Sequence, residues 1–265
     1  MTTGTTMTTT RLALALAAAA LAAAPAAARG QTADLARRVA AAPDGRVHFS
    51  YAARPGVCGT GRNIQVRTRE ESLEWEGDCE SGPVRVALTL ENHRVTRLRT
   101  YVGGRWRPGS GTDLGTVSAP AAAAWLLDLA PRLGTSRGSD GGDAIFAATL
   151  ADSAVVWTRL LHLARDGGVP VKTRKSAVFW LGQAAGDAAT KDLADLAASD
   201  TTDREVRKSA IFALSQRPKD EGVPALIKVA RTSPDPELRR SALFWLGQSD
   251  DPRALALFQE LLTKP

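Results

Sequence analysis

The sequence predicts an α+β protein in which a small antiparallel β domain precedes a C-terminal α-solenoid of helix pairs. Two observations carry the prediction. Between Arg46 and Val102, apolar and polar residues alternate with the period of half-buried strands. After Pro120 a helical phrase recurs as "KSAVFWLGQ" from Lys175, "KSAIFALSQ" from Lys208 and "RSALFWLGQ" from Arg240. Aligned on Ala144, Ala177, Ala210 and Ala242, the copies lie 33, 33 and 32 residues apart. A period of that length belongs to stacked supersecondary units.

The chain opens with "MTTGTTMTTTRLALALAAAALAAAPAAARG". A polar start with Arg11, an apolar run from Leu12 to Ala24 and a small-residue site at Ala26-Ala27-Ala28 predict a signal peptide over residues 1–28. Met7 offers an alternative start. The apolar run is short for a bilayer span, so no transmembrane segment is expected after cleavage. No cysteine lies near the cleavage site, which excludes lipidation in the bacterial lipoprotein manner. The mature protein is therefore expected to be periplasmic or secreted. Net charge is +6, and losing Arg11 leaves +5, with both signs interspersed. That balance gives no reason to expect a nucleic-acid partner.

Residues 29–117 read as the β domain. Leu35 and Val39, four apart, mark a short amphipathic helix that ends at Pro43 and Gly45. "RVHFSYAA" places Val47, Phe49 and Tyr51 on one face and Arg46, His48 and Ser50 on the other. "NIQVRT" alternates again. "PVRVALTLENHRVTRLRTYV" predicts a hairpin with Val84, Val86, Leu88 and Leu90 on one face and its turn at "ENH". Alternation this clean implies a sheet with one wet face. The two cysteines, Cys58 and Cys79, stand 21 apart, and in a chain read as exported they predict a disulfide. No C-x-x-C pair is present, and His48, His93 and His162 form no short-spaced ligand set with the cysteines, so no metal is expected. "VGGRWRPGSGTDLGTVSAP" reads as a loop that closes the domain.

Residues 118–142 read as a helix, "AAAAWLLDLAPRL", and a linker, and residues 143–265 as four helix pairs. Within a first helix, Ala177, Trp180 and Leu181 share a face at i, i+3 and i+4. The adjacent Phe is expected to broaden that stripe, which makes Phe179, Phe212 and Phe244 core residues between repeats. Pro224 and Pro252 read as first-turn prolines. Trp180 and Trp245 occupy equivalent slots, with Ala213 between them. Either the tryptophans seal adjacent repeats and Ala213 makes room for them, or a groove at the middle repeat receives a partner's side chain. The last helix, "PRALALFQELLTK", either closes the stack with Arg253, Gln259 and Glu260 or leaves an apolar edge.

The segment "REVRKSAIFALSQRPKDEGVPALIKVA" resembles a HEAT-like repeat of the short bacterial kind. Val206 and Arg207 precede the first helix, Ala210, Ala213 and Leu214 lie inside it, Asp220 marks the turn, and Val223, Pro224 and Leu226 open the second helix. Leu238 with Arg239 matches the leading pair cleanly, Thr173 with Arg174 weakly, and the copy at Asp143 lacks the Arg. The resemblance spans about residues 140–262, and the whole layout is similar to exported bacterial HEAT-repeat proteins. It implies an architecture that holds partners or acts as a scaffold, and it says almost nothing about activity.

No catalytic or cofactor constellation is present: G-x-S-x-G, H-E-x-x-H and a Gly-rich loop leading from strand to helix are all missing. "CGTGRN" at Cys58 lacks the P-loop lysine and the following Ser/Thr. The acidic run Glu70, Glu71, Glu74, Glu76, Asp78 and Glu80 reads as a solvated face. His162 reads as half-buried among Leu161 and Leu163. Candidate partner-binding residues are Trp75 and Trp106, which flank acidic or Gly-rich loops, and Arg174, Arg207 and Arg239, which recur near the start of each first helix. An Arg in that slot can bond the carbonyls or the acid of a neighbouring turn, such as Asp203 or Asp235. A solvent-facing remainder would draw an acidic protein. The expected function is therefore an exported protein–protein interaction or scaffold protein, without catalysis. The alternative is an accessory subunit or hydrolase-type enzyme, marked by a cleft where Glu74 and Glu76 converge with His48 or Arg62.

Overall fold

A computed structural model describes residues 30–67, 79–133, 139–183 and 187–263. The expected signal peptide, Trp75 and the acidic residues from Glu70 to Asp78 lie outside the described residues. A helix over residues 30–41 (α1) precedes β1 (Gly45–Tyr51), β2 (Val57–Thr60), β3 (Asn63–Val66), β4 (Glu80–Ser81), β5 (Val84–Glu91), β6 (Arg94–Val102) and β7 (Thr112–Thr116). Strands β6-β5-β1-β7 form one sheet and β3-β2-β4 a second.

The alternation placed the buried face correctly. Val47, Phe49, Tyr51, Val84, Val86, Leu88 and Leu90 are all buried together with Leu35 and Val39 of α1. Asp44 fixes the hairpin turn by accepting the backbone N–H groups of Asn92 (2.7 Å) and His93 (2.9 Å), both in the left-handed region. Those two N–H groups hold the Asp44 carboxyl below its usual pKa. One reading fails. Residues 112–116, expected as loop, form β7 and run parallel to β1 in an otherwise antiparallel sheet. Glycines at 111 and 115 lower the local strand signal, whereas the open edge of β1 supplies a pairing partner that only the tertiary fold reveals.

The disulfide between Cys58 and Cys79 forms as expected, with the Cα atoms 5.3 Å apart, and ties β2 to the start of β4. Val102 and Gly61 exchange backbone hydrogen bonds of 2.8 and 2.9 Å, which fasten this smaller sheet to the end of β6.

Helix α2 (Ala119–Leu129) does more than link. Ala119, Ala121, Ala122, Ala123, Trp125, Leu126 and Leu127 are buried, and Trp125 meets Phe49 of the sheet edge-on at 5.8 Å. The Tyr51 hydroxyl donates to the Ala147 carbonyl at 2.6 Å, and burial drives its pKa well up. The backbones of Arg54 and Asp152 add bonds to Leu150 and Ala52. The β domain thus covers the leading end of the solenoid, an end that would otherwise expose apolar surface.

Four helix pairs follow: α3 (Gly141–Thr149) with α4 (Trp157–Arg165), α5 (Val171–Gly182) with α6 (Asp187–Ala198), α7 (Arg204–Ser215) with α8 (Lys219–Thr232), and α9 (Pro236–Gly247) with α10 (Pro252–Thr263). Ala144, Ala177, Ala210 and Ala242 are completely buried. Pro252 opens its helix as expected. Pro224 does not: Pro218 caps a helix that begins at Lys219, so Pro224 falls inside it. The Pro218 carbonyl accepts Glu221 and Gly222 N–H, which starts the helix earlier than the sequence suggested.

The expected Phe core is overturned. Phe179 and Phe244 are 44 % and 59 % exposed, and Phe146 and Phe212 are half-buried. The wheel explains it. At about 100° per residue, Phe179 points roughly 200° away from Ala177, off the seam entirely. The residue that widens the buried stripe is instead Val178, with Ile211 in the next copy; both are fully buried. Helix α10 exposes Leu255, Leu261 and Leu262, an apolar edge on the last described helix.

Two outcomes are expected. Leu214→Ala should cost about 2–5 kcal/mol, as buried Leu truncations do, while Phe179→Ala should cost less than about 1 kcal/mol. Denaturant unfolding of both variants checks the ordering, and a costlier Phe179→Ala would restore the Phe core. The second concerns acid. The Arg253 guanidinium and backbone N–H hold the Asp251 carboxyl at about 2 instead of 3.8. A lowered folded-state value stabilises the fold above the unfolded value, and that contribution is lost as pH falls from about 4 towards 2. The melting temperature of Asp251→Asn should therefore fall less steeply through this window than that of the parent.

Candidate functional site

The first helices carry an aromatic ridge with a gap in it. Trp180 of α5 lies against Phe146 of the preceding repeat, with ring centroids 5.6 Å apart, and Trp245 of α9 lies against Phe212 at 5.0 Å. Each Trp also meets its own neighbour, Phe179 or Phe244, edge-on. The rule is that the Trp of one repeat covers the Phe of the repeat before it. Ala213 holds that slot in the middle repeat and is too short to reach Phe179. In the same repeat a groove of about 520 Å³ lies between α5 and α7. Val171, Phe179 and Phe212 supply its apolar surface, and Lys172, Lys175, Ser176 and Ser209 its polar lining.

Charges along this ridge alternate. Lys172 reaches Asp140 at 2.6 Å, and that hydrogen bond raises the lysine pKa. Lys175 lies 3.7 Å from Glu205, Lys208 lies 3.6 Å from Glu205 and 3.8 Å from Glu237, and Arg240 meets Glu237 at 2.6 Å. Exposed pairs of this kind contribute little stability and yield readily to a better partner.

The recurring arginines have internal work. Arg174 Nε donates to the Ala164 carbonyl at 3.0 Å, and its guanidinium pairs with Asp203. Arg207 Nε donates to the Ala197 carbonyl at 3.1 Å and lies 3.8 Å from Asp200. Arg239 donates to Ser233 and Pro234 carbonyls at 2.8 and 3.1 Å. Arg174 and Arg207 reach back to carbonyls in the last turn of the preceding second helix, groups the helix itself leaves unbonded, and Arg239 to the two residues just past such a helix. Asp203 pairs as the sequence suggested, and Arg204 meets Asp235 at 2.7 Å. Arg174 and Arg207 are buried, so a partner cannot reach them without opening the repeat.

Trp106 stands elsewhere, on the wet face of the large sheet, stacked on His48 at 4.6 Å and edge-on to Tyr101 at 5.6 Å. His48 lines a cleft there, but its company is arginine. Arg62 is exposed outside that lining, and Glu74 and Glu76 lie outside the described residues. His162, expected half-buried, is exposed on α4. Among the described residues, no group of His, Cys, Asp and Glu is placed to hold a metal ion, and no helix is long and apolar enough to cross a membrane.

A family model, the PBS lyase HEAT-like repeat, matches residues 238–264, the last helix pair. No curated protein matches the chain. The match supports HEAT-like repeats in the helical region, and the two preceding pairs carry the same phrase from Lys175 and Lys208. Sequence reasoning missed Phe179 as an exposed anchor, although its angular distance from Ala177 was readable.

Ala213→Trp tests the ridge directly. A Trp there should cover Phe179 and raise stability by about 0.5–1.5 kcal/mol, the worth of an aromatic pair. Thermal unfolding reads the change. A destabilised variant would mean that the Ala213–Gly182 contact leaves no path for the ring, since a Cβ on Gly182 would already lie 2.9 Å from that of Ala213.

Proposed function

We propose that this protein is an exported scaffold whose middle solenoid repeat captures a protein partner. HEAT-like helical repeats support a protein-interaction role in general. The observation that carries the specific reading is the groove that Phe179 and Phe212 line, in the repeat where Ala213 stands in the slot that Trp180 and Trp245 fill on either side. An apolar side chain of the partner fills the place a Trp takes in the neighbouring repeats. A carboxylate beside it engages Lys175 or Lys172 and displaces Glu205 or Asp140, which gives an acidic partner its preference. Aromatic anchors in desolvated pockets of this kind dominate interface energies.

Export rests on the sequence of residues 1–28 and is consistent with the disulfide, which favours an oxidising compartment. Periplasm or secreted fluid is the proposed location.

One experiment tests both parts. Natively expressed protein is recovered with its partners after crosslinking, and its N-terminus is read by mass spectrometry. The N-terminus should fall near Arg29; intact Met1 or Met7 protein from the cytoplasm would refute export. A partner should be retained by the parent and by Phe244→Glu, and lost from Ala213→Trp and Phe179→Glu. Equal capture by all four forms would remove the groove from the account.

A further inference from the structure

The wet face of the large sheet is built as a basic trough. In the register of the three strands, Ser50, Arg85 and Tyr101 form one row across β1, β5 and β6; His48, Ala87 and Arg99 form the next; Arg46, Thr89 and Arg97 form the third. The middle strand contributes the small Ala87 and Thr89, so the floor is low, while long side chains from β1 and β6 make the walls. The Gly103–Ser110 segment closes one side and brings Arg105, Trp106 and Arg107 to the rim. Gly103 makes that approach possible. Its φ is +75°, and a Cβ there would lie 2.4 Å from the Gly59 carbonyl oxygen. Glu80, next to the disulfide, accepts the Gly104 N–H at 2.7 Å and pins the segment in place.

The cleft that results has a volume of about 400 Å³ and is lined by six arginines: Arg46, Arg85, Arg97, Arg99, Arg105 and Arg107. No carboxylate side chain of the described residues belongs to the lining. Among the described residues, none of Arg46, Arg85, Arg99, Arg105 and Arg107 forms an ion pair, and Arg85 donates only to the Pro83 carbonyl at 3.4 Å. The solenoid treats its arginines differently, spending them on carboxylates and helix-end carbonyls. At the wall His48 is 5 % exposed, and its Nδ1 forms no hydrogen bond, although Asp113 Oδ1 lies 3.3 Å away. Its Nε2 lies 3.4 Å from the Ser110 hydroxyl at the rim.

We infer that this cleft binds a small polyanion, a ligand bearing two or more phosphate, sulfate or carboxylate groups. Guanidinium forks match each of these oxyanions in bidentate geometry. A single tetrahedral oxyanion is saturated by about three forks, fewer than the cleft offers. The arginine roots on β1 and β6 stand two strand spacings apart, about 9–10 Å, which suits charges at separated positions on one ligand. The volume lies within the range of about 300–1,000 Å³ that small ligands occupy. Trp106, held by its stack on His48, walls the site with an aromatic surface. The inference is independent of the solenoid groove, which lies on a different part of the fold.

Titration calorimetry of the full chain at about 150 mM salt tests it, with pyrophosphate, citrate and a disulfated disaccharide as polyanion probes and inorganic sulfate as the single-anion control. At least one probe should bind about tenfold or more tightly than sulfate, and its identity tells phosphate, carboxylate and sulfated-sugar sources apart. Arg46→Ala and Arg99→Ala, both at solvent-exposed positions, should each weaken that binding about tenfold with an unchanged melting curve, and Arg99→Lys should recover part of it. Ala213→Trp should leave it unaltered. Three probes no better than sulfate, or alanine variants that bind like the parent, would overturn the proposal.

Discussion

The complete burial of one stripe of each first helix, with Ala144, Ala177, Ala210 and Ala242 at its centre, sets the rest of the solenoid. A larger residue at that point would push the helices apart, and in a packed interior even one methylene is felt. Once the alanines and their flanking leucines and valines occupy the seam, the helix period leaves the Phe of each phrase on the opposite side. The aromatic ridge is therefore a by-product of the seam. What varies along it is a single slot, occupied by Trp180, Ala213 and Trp245 in turn, and at the smallest of the three residues Phe179 is left without a Trp over it.

Charge is handled in two ways within one chain. In the solenoid the arginines stitch repeats together: Arg174 and Arg207 join the end of one second helix to the next first helix, and Asp251 with Arg253 does similar work at the last turn. Arg174 and Arg207, both buried, are committed to stability. On the wet face of the sheet Arg46, Arg85, Arg99, Arg105 and Arg107 line one cleft and, among the described residues, none of them forms an ion pair, an arrangement that repels itself until an anion arrives. The disulfide and Glu80 matter to that face because they fix the segment that carries Arg105, Trp106 and Arg107.

Much of this was readable from the residues. The repeat period, the buried faces of β1, β5 and β6, the disulfide and the four helix pairs all follow from local pattern. So does the pairing of Arg174 with Asp203, because the repeat places each Arg beside the next turn. The outward Phe column was present in the sequence as an angle, but grouping Phe179 with its neighbour Trp180 concealed it. Strand β7 could not be read locally, since its glycines argue against a strand and only the free edge of β1 recruits it. The arginine cleft has a partial signal in "RVTRLRTYV", where Arg97 and Arg99 alternate with Leu98. Its remainder comes from residues as distant as Arg46 and Arg107, and only the strand register brings them together.

The central claim is that Trp coverage, repeat by repeat, decides which aromatic residues meet solvent. Hydroxyl-radical footprinting of the folded monomer measures this residue by residue. Phe179 and Phe244, with no Trp from a following repeat, should oxidise faster than Phe146 and Phe212. Equal rates across the four positions, or the reverse order, would contradict the account.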